Sequence, residues 1–347
     1  MNKKFAKYIG ALTLAMGLTM GSFVAFADDT PETVEVARDG GGYAASKQIF
    51  GEGYTAQLYD ANNGMPTSDA SCILADKDGY IWIGSYSGII RYDGTNFVRM
   101  DSSKGLTSGK ILFEDKSGKI WVGTNDNGVV VIDGEDTKRY TYKEGLPSSS
   151  IRGFAEDKNG TIYIATTGGI CYLQEDGTLN VMEDEAFKNC YINRIYCTRQ
   201  GQIVGATKNG ELFLIRDKKL VAFKDGESLG VGKVTSVYAD DNAEDFIYVG
   251  NDQGKVYAGF FGEDGNTFDV NVEMDVSPAL NVSWISRECE TIWAIADDKV
   301  GYFDPRGKYR LVEHLPIDSS IEMVESDYQG NLWLVSTRQG VAKIVTN

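Results

Sequence analysis

The chain has 347 residues and a formal net charge of −16. This acidic balance argues against binding to nucleic acid or to an anionic membrane surface, because both need a basic protein surface. Forty glycines and six prolines fit a chain with many tight turns, and no helical periodicity of apolar residues follows the first thirty residues. The composition therefore suits an all-β protein rather than a helical one.

The N-terminus is predicted to be an export signal. Residues 1–27 carry three lysines, then an apolar segment, and end in "AFA" before Asp28, which is typical of a cleavable signal peptide. Because these residues hold no acids, their removal would change the charge from −16 to −19. An uncleaved membrane anchor is the alternative, since the apolar stretch is near the length that spans a bilayer. We expect an extracytoplasmic protein that is secreted, at the cell surface or periplasmic.

Residues 28–47 are polar and rich in glycine, which predicts a flexible linker. After them a unit first seen complete as "ADKDGYIWIGSYSGIIRYDGTNF", residues 75–97, recurs to the C-terminus at steps of 39 to 45 residues. Its central aromatic or apolar residue occurs at Trp82, Trp121, Tyr163, Val204, Tyr248, Trp293 and Trp333. A period of about 40 residues with short strands is typical of β-propeller blades. The copies number seven.

Each unit predicts four strands separated by turns of the "DKxG" and "DG" kinds. The last unit ends at its third strand, "GVAKIVTN", whereas the segment "YTAQLYD" near the N-terminus resembles an isolated fourth strand. Pairing the two would complete one blade and leave no open sheet edge. We therefore predict a seven-bladed β-propeller over residues 48–347, closed by the N-terminal strand. The repeated tryptophans are expected to pack between blades.

The segment "GLPSSSIRGFAEDKNGTIYIATTGGICYL", which begins at Gly145, resembles the two-component regulator propeller repeat. The first three units and the seventh follow its pattern. The fourth to sixth depart from it, with Gly205 inside a strand and "DDNAED" lengthening a turn. The resemblance implies an extracytoplasmic input domain of a membrane sensor, whose output is a histidine kinase or a cyclic-dinucleotide enzyme.

The sequence given ends after the seventh unit, without an output domain. Three interpretations follow: a stand-alone exported propeller, a sensor whose membrane kinase or cyclase partner is separately encoded, or part of a larger receptor with C-terminal output domains. The favoured function is an exported input module that senses a carbohydrate or another small polar ligand. The alternatives are a secreted protein- or glycan-binding scaffold without signalling, and a propeller glycoside hydrolase or lyase.

Candidate ligand-binding residues lie in the loops between second and third strands and near the starts of inner strands. These positions share one end of the ring, where loops of many blades converge. The candidates are Tyr86, Asn125, Asp126, Asn127, Arg152, Thr167, Arg194, Lys208, Asn251, Asp252, Trp284, Asp298 and Arg338. Asn, Asp and Thr also form turns, so a purely structural role is the alternative for most of them.

No catalytic, metal or cofactor site is expected. His314 is the only histidine, and no G-x-S-x-G segment occurs. The "DKxG" turns lack the remaining ligands of a calcium loop. The five cysteines form no C-x-x-C pair, and we interpret them as small buried apolar residues, although a bridge between neighbouring blades stays open. The protein is therefore predicted not to be an enzyme.

Overall fold

The computed structural model describes residues 54–239 and 246–346, which belong to one compact unit. The predicted signal peptide (1–27) and linker (28–47) lie outside the described residues. Besides strands, this part of the chain contains short 3₁₀ turns at Ser102–Lys104, Tyr142–Glu144 and Glu185–Phe187. Over the same residues, no helical turn has the length and apolarity needed to cross a bilayer.

The described residues form strands of three to eight residues. In chain order they are β1 (Tyr54–Tyr59), β2 (Cys72–Ala75), β3 (Ile81–Ser85), β4 (Gly88–Tyr92), β5 (Phe97–Arg99), β6 (Ile111–Glu114), β7 (Ile120–Gly123), β8 (Val129–Asp133), β9 (Asp136–Tyr140), β10 (Ile151–Glu156), β11 (Ile162–Thr166), β12 (Gly169–Leu173), β13 (Leu179–Val181), β14 (Ile192–Cys197), β15 (Ile203–Thr207), β16 (Glu211–Arg216), β17 (Lys219–Asp225), β18 (Val234–Ala239), β19 (Ile247–Asn251), β20 (Lys255–Phe261), β21 (Phe268–Asp275), β22 (Val282–Glu288), β23 (Thr291–Ala296), β24 (Lys299–Phe303), β25 (Tyr309–Leu311), β26 (Ile321–Ser326), β27 (Leu332–Ser336) and β28 (Gly340–Thr346).

These strands form seven four-stranded antiparallel sheets, the blades of a β-propeller. Blades 1 to 6 each use four consecutive strands, beginning with β2 and ending with β25. Blade 7 combines β26, β27 and β28 with β1, and β1 pairs with β28 from Tyr54↔Thr346 to Tyr59↔Val341. Both the seven blades and the closure of the ring by the N-terminal strand are thus confirmed.

Burial follows the position of a strand within its blade. Second strands such as β3 and β27 are buried along their whole length, whereas the short outer strands β5, β13 and β25 are mostly exposed. A second strand is covered on both faces by neighbouring blades, so it tolerates an uninterrupted apolar run instead of alternation. The hydrophobic core therefore lies between blades.

The repeated tryptophan is buried in every blade that has one, with at most 4% of its surface exposed, which confirms the predicted packing role. In three blades its indole Nε1 also donates to the aspartate that opens the preceding turn. The pairs are Trp82–Asp76 at 2.6 Å, Trp121–Asp115 at 2.8 Å and Trp333–Asp327 at 2.9 Å. The other oxygen of Asp76 accepts from the backbone N–H groups of Asp78 and Tyr80. The "DKxG" aspartate thus holds turn and strand together.

An aromatic cluster joins the closing strand β1 to the rest of blade 7 and to blade 1. Tyr59 of β1 stacks on Trp333 of the same blade, with ring centroids 6.0 Å apart. On its other side Tyr59 contacts Tyr92 and Phe97 of blade 1, at 5.8 and 5.0 Å. Ring closure therefore depends on side-chain packing as well as on the β1–β28 hydrogen bonds.

All five cysteines are free thiols. Cys72 and Cys171 are fully buried, as predicted, and burial raises the pKa of each thiol to about 12. Cys190, Cys197 and Cys289 are partly exposed. No bridge between blades occurs in the structure.

Candidate functional site

A central channel of about 610 Å³ runs between the inner strands of all seven blades. Its volume lies within the range of small-molecule sites. We call the end of the channel at the turns between first and second strands the turn end, and the opposite end the loop end. The channel combines apolar, aromatic and charged side chains, so its chemistry differs from that of the apolar space between blades.

Blades 4 to 6 contribute a group of aromatic and cationic side chains that contact one another in the channel. Arg194 and Tyr196 of β14, Tyr238 of β18 and Trp284 of β22 all face the channel space. The guanidinium carbon of Arg194 lies 4.3 Å from the ring centroid of Trp284, a cation–π contact. Because Arg194 is in blade 4 and Trp284 in blade 6, the contact passes in front of blade 5. Tyr196 and Tyr238 meet edge-to-face at 5.2 Å.

Three glutamates lie toward the turn end of the channel, and each accepts a hydrogen bond from the backbone of an adjacent blade. Glu114 accepts from the N–H of Lys77 at 2.9 Å, and Glu156 accepts from that of Lys116 at 2.7 Å. Glu288 accepts from both the N–H and the hydroxyl of Ser326, at 2.8 and 2.7 Å. These glutamates therefore link one inner strand to the next.

Glu325 is the most perturbed acid of the channel. Burial raises its pKa well above the ordinary glutamate value, and the nearby Glu288 carboxylate raises it further, against the lowering effect of a hydrogen bond from the backbone of Ala75. Burial also raises the pKa of Tyr196, with contributions from Glu325 and Glu288. Glu325 is therefore protonated over a wider pH range than a surface glutamate and can donate a hydrogen bond there.

A β-bulge lies near the start of the inner strand in blades 3 to 7. Bulges turn a side chain away from the regular alternation of a strand. The extra residues are polar: Arg152, Asn193, Thr235, Ser283 and Glu322. Glu322 forms a salt bridge of 3.6 Å with Lys110 of blade 2, which passes in front of blade 1. The loop end of the channel is thus surrounded by polar groups.

Of the predicted candidates, the structure brings Arg194 and Trp284 together in the channel. Two others meet around a tyrosine that was not predicted. The Nε of Arg152 donates to the hydroxyl of Tyr191 at 2.7 Å, and the Nζ of Lys208 lies 5.0 Å from the centre of the same ring. These residues form a second, smaller cationic cluster at the loop end.

The remaining candidates are spread around the ring. Asn251 is fully buried, and its amide bonds the carbonyl of Val231 and the N–H groups of Gln253 and Lys255. Asn127 is held by Arg139 at 3.0 Å. Thr167 shares a hydrogen bond with Ser148 at 2.8 Å, and Asn125 is half-buried. The exposed candidates are Tyr86, Asp126, Asp252, Asp298 and Arg338.

Sequence reasoning missed Tyr196, Tyr238, Arg287 and Glu325 as channel residues. Glu325 and Tyr196 pair across strands with Trp333 and Val204, which are positions of the repeated aromatic residue. Glu325 and Tyr196 each lie eight residues before the repeated aromatic position of their blade. In most blades, a spacing of eight residues from that position therefore identifies a residue that lines the channel. Within the described residues no cluster of His, Cys, Asp and Glu suited to a metal ion occurs.

The class of protein defined here is a seven-bladed β-propeller whose central channel is lined by all seven blades. The family model of the two-component regulator propeller matches residues 64–87 and 145–168, which confirms the resemblance seen in the repeats. No curated protein matches the chain.

The solved structures that align with this chain include lyases and an extracellular sensor domain. A streptogramin B lyase aligns with a TM-score of 0.70 and 16% identity, over 85% of this chain and 98% of the lyase. Virginiamycin B lyase of Staphylococcus aureus aligns at 0.68 and 15%, over 85% and 100%. The extracellular domain of BT3049, assigned to a hybrid two-component system of B. thetaiotaomicron, aligns at 0.68 and 18%, over 85% of this chain and 42% of that domain. At these identities the likeness concerns the fold.

Proposed function

We propose that this protein is an exported, ligand-binding propeller that serves as the input module of a two-component or related signalling system. The observation that carries the proposal is the channel, where aromatic rings and polar groups surround a space large enough for a small-molecule ligand. Some of these polar groups have no hydrogen-bond partner in the described part of the chain. The two-component regulator propeller match and the fold shared with an extracellular sensor domain support the signalling role. Export rests on the predicted signal peptide over residues 1–27.

The lining favours a small polar ligand such as a carbohydrate. Tyr196, Tyr238 and Trp284 offer aromatic surface, while Arg194 and Glu325 offer hydrogen-bonding groups. Sites of this kind combine apolar contact area with a few polar groups that fix ligand orientation. Occupancy would be passed to a membrane kinase or cyclase, on a separate chain or in the same one.

Binding is favoured over catalysis even though lyases share the fold. A histidine-to-alanine variant of virginiamycin B lyase is described as catalytically inactive. In the present chain the only histidine, His314, lies on the surface in the connection between β25 and β26. The match to a signalling repeat therefore weighs more than the likeness to lyases at 15–16% identity.

A thermal-shift screen of neutral mono- and oligosaccharides tests the proposal. A ligand that binds only the folded state raises the unfolding midpoint by mass action. We expect the unfolding midpoint to rise with the concentration of sugars that share one structural feature. This rise should be absent in the Tyr196→Ala variant. Tyr86→Ala is the matched control, because Tyr86 is an exposed tyrosine outside the channel.

Loss of the shift in Tyr86→Ala with retention in Tyr196→Ala would move the site from the channel to the loops. A flat response to every neutral sugar, together with release of product from a glycan library, would replace the sensor by an enzyme. A flat response without product would count against sensing of a neutral carbohydrate.

A further inference from the structure

Arg194 is a channel cation with unused hydrogen-bonding capacity. Its guanidinium carries five N–H donors in a planar fork. The Trp284 ring, 4.3 Å away, fixes the position of the guanidinium without accepting those hydrogen bonds. No carboxylate lies within salt-bridge distance of Arg194 among the described residues. By contrast, Arg287 of the same channel pairs with Glu290 at 2.5 Å.

Two further polar groups in the channel are buried and unpartnered. Trp284 is 6% exposed and Ser286 is 4% exposed, and both line the channel. The Nε1 of Trp284 and the Oγ of Ser286 have no hydrogen-bond partner in the described protein. A buried donor without a partner is costly unless water or a ligand satisfies it. Both residues and Arg194 line the same channel.

Other charged groups of the channel have hydrogen-bond partners in the protein backbone. Glu114, Glu156 and Glu288 accept from backbone N–H groups of adjacent blades. The Nζ atoms of Lys77 and Lys116 donate to backbone carbonyls at 3.4 and 3.1 Å. Arg194 therefore differs from Arg287, Lys77 and Lys116 in having an aromatic ring, and not an oxygen acceptor, beside its charged group.

We infer that the channel binds the carboxylate of a small acidic ligand, with Arg194 as its anchor. A guanidinium matches a carboxylate through two parallel hydrogen bonds, which a neutral hydroxyl group does not reproduce. The inference rests on the proposed ligand-binding function and narrows the ligand class from polar sugars to sugar acids or similar organic acids.

Isothermal titration with matched pairs of sugars tests the inference. The probes are D-glucuronate against D-glucose and D-galacturonate against D-galactose, at equal ionic strength and at about 10 mM, a concentration that detects millimolar binding. The expected result is binding of at least one uronate, with its neutral parent weaker by about tenfold or more because the bidentate contact is missing.

Three variants locate the binding. Arg194→Gln should weaken uronate binding by about 10- to 100-fold, the cost of losing a charge-assisted pair. Arg194→Lys keeps the charge but not the fork, so it should restore part of the affinity. Arg306→Gln makes the same change of charge at an exposed site in the turn between β24 and β25 and should bind like the wild type.

Each other outcome overturns the inference. Equal binding of acid and neutral parent, or unchanged uronate affinity in Arg194→Gln, removes the carboxylate anchor while the sensor proposal stands. The same conclusion holds if neutral sugars raise the unfolding midpoint and no uronate binds. If neither the neutral sugars nor the uronates bind, the inference and the proposed carbohydrate sensor fail together.

Discussion

At the residue scale, the aspartate of each "DKxG" turn serves the scaffold and not a ligand. Asp76 is 4% exposed, and its two oxygens accept from two backbone N–H groups and one indole. These hydrogen bonds offset the cost of burying the carboxylate. The repeat therefore selects aspartate and tryptophan six positions apart as one unit.

Replacing the indole should expose this dependence. Trp82→Phe removes the 2.6 Å bond to Asp76 and is expected to lower the free energy of unfolding by about 1–3 kcal/mol, because a buried charged acceptor loses its partner. Urea denaturation measures the change. A double-mutant cycle with Asp76→Ala should give a coupling energy of about 1 kcal/mol or more. Additive effects of the two substitutions would contradict the role of the bond.

Glu325 should make stability decrease as pH rises. Since burial and Glu288 raise its pKa in the folded state, the folded protein holds the proton more tightly than the unfolded chain, whose glutamate titrates near about 4.3. The free energy of unfolding therefore decreases as the pH rises from the pKa of Glu325 in the unfolded chain to its higher pKa in the folded protein. Glu325→Gln should remove this loss, so its unfolding midpoint should exceed that of the wild type more at pH 8 than at pH 5.

The control for this measurement is Glu322→Gln, three residues earlier in the same strand and partly exposed beside Lys110. It should not reproduce the pH-dependent gain, because surface pairs contribute little. Parallel pH profiles for the wild type and Glu325→Gln would show that Glu325 does not retain its proton.

Buried thiols give a second measurement at single residues. The pKa of Cys72 and of Cys171 is raised to about 12, so their reactive thiolate is scarce at neutral pH. A chromogenic disulfide reagent should therefore modify these two only as fast as the protein unfolds, whereas the partly exposed Cys289 reacts earlier. Mass spectrometry of quenched samples assigns the sites. Rapid modification of Cys72 in the native protein would contradict the burial described here.

At the scale of elements, closure of the ring depends on one strand. Tyr59→Ala should cost about 3–5 kcal/mol in unfolding free energy, because the ring fills a space bounded by Trp333 and two aromatic residues of blade 1. Gln57→Ala, an exposed position of the same strand, should stay within about 0.5 kcal/mol of the wild type. If the two substitutions lowered the free energy of unfolding equally, β1 would stabilise the ring through backbone hydrogen bonds alone.

Strands and closure could be predicted from the sequence because both are local patterns. The repeat places each strand, and the last unit visibly lacks a fourth strand that "YTAQLYD" can supply. The channel contacts could not be predicted in the same way. Arg194 and Trp284 are far apart in sequence and meet only because the ring places blades 4 and 6 around a narrow axis. Which side chains lie unpartnered there depends on packing that no spacing reveals.

At the scale of the whole molecule, the net charge of −16 opposes the compact state through self-repulsion. Salt screens that repulsion, with a Debye length of about 10 Å at 0.1 M. The unfolding midpoint is therefore expected to rise between about 0.02 and 0.3 M NaCl, and equally with KCl, since the effect is nonspecific. A midpoint that falls over this range would mean that surface ion pairs outweigh the repulsion.

The β1–β28 pairing also determines how the ring responds to mechanical load. Tyr54 lies opposite Thr346, so the chain enters and leaves the described propeller at the same end of one antiparallel strand pair. A force applied between these two points would peel the hydrogen-bonded pairs apart one after another, beginning at Tyr54, instead of shearing all of them at once. A propeller pulled at both ends of its chain would therefore open first at the closing strand β1, while the other six blades remained intact.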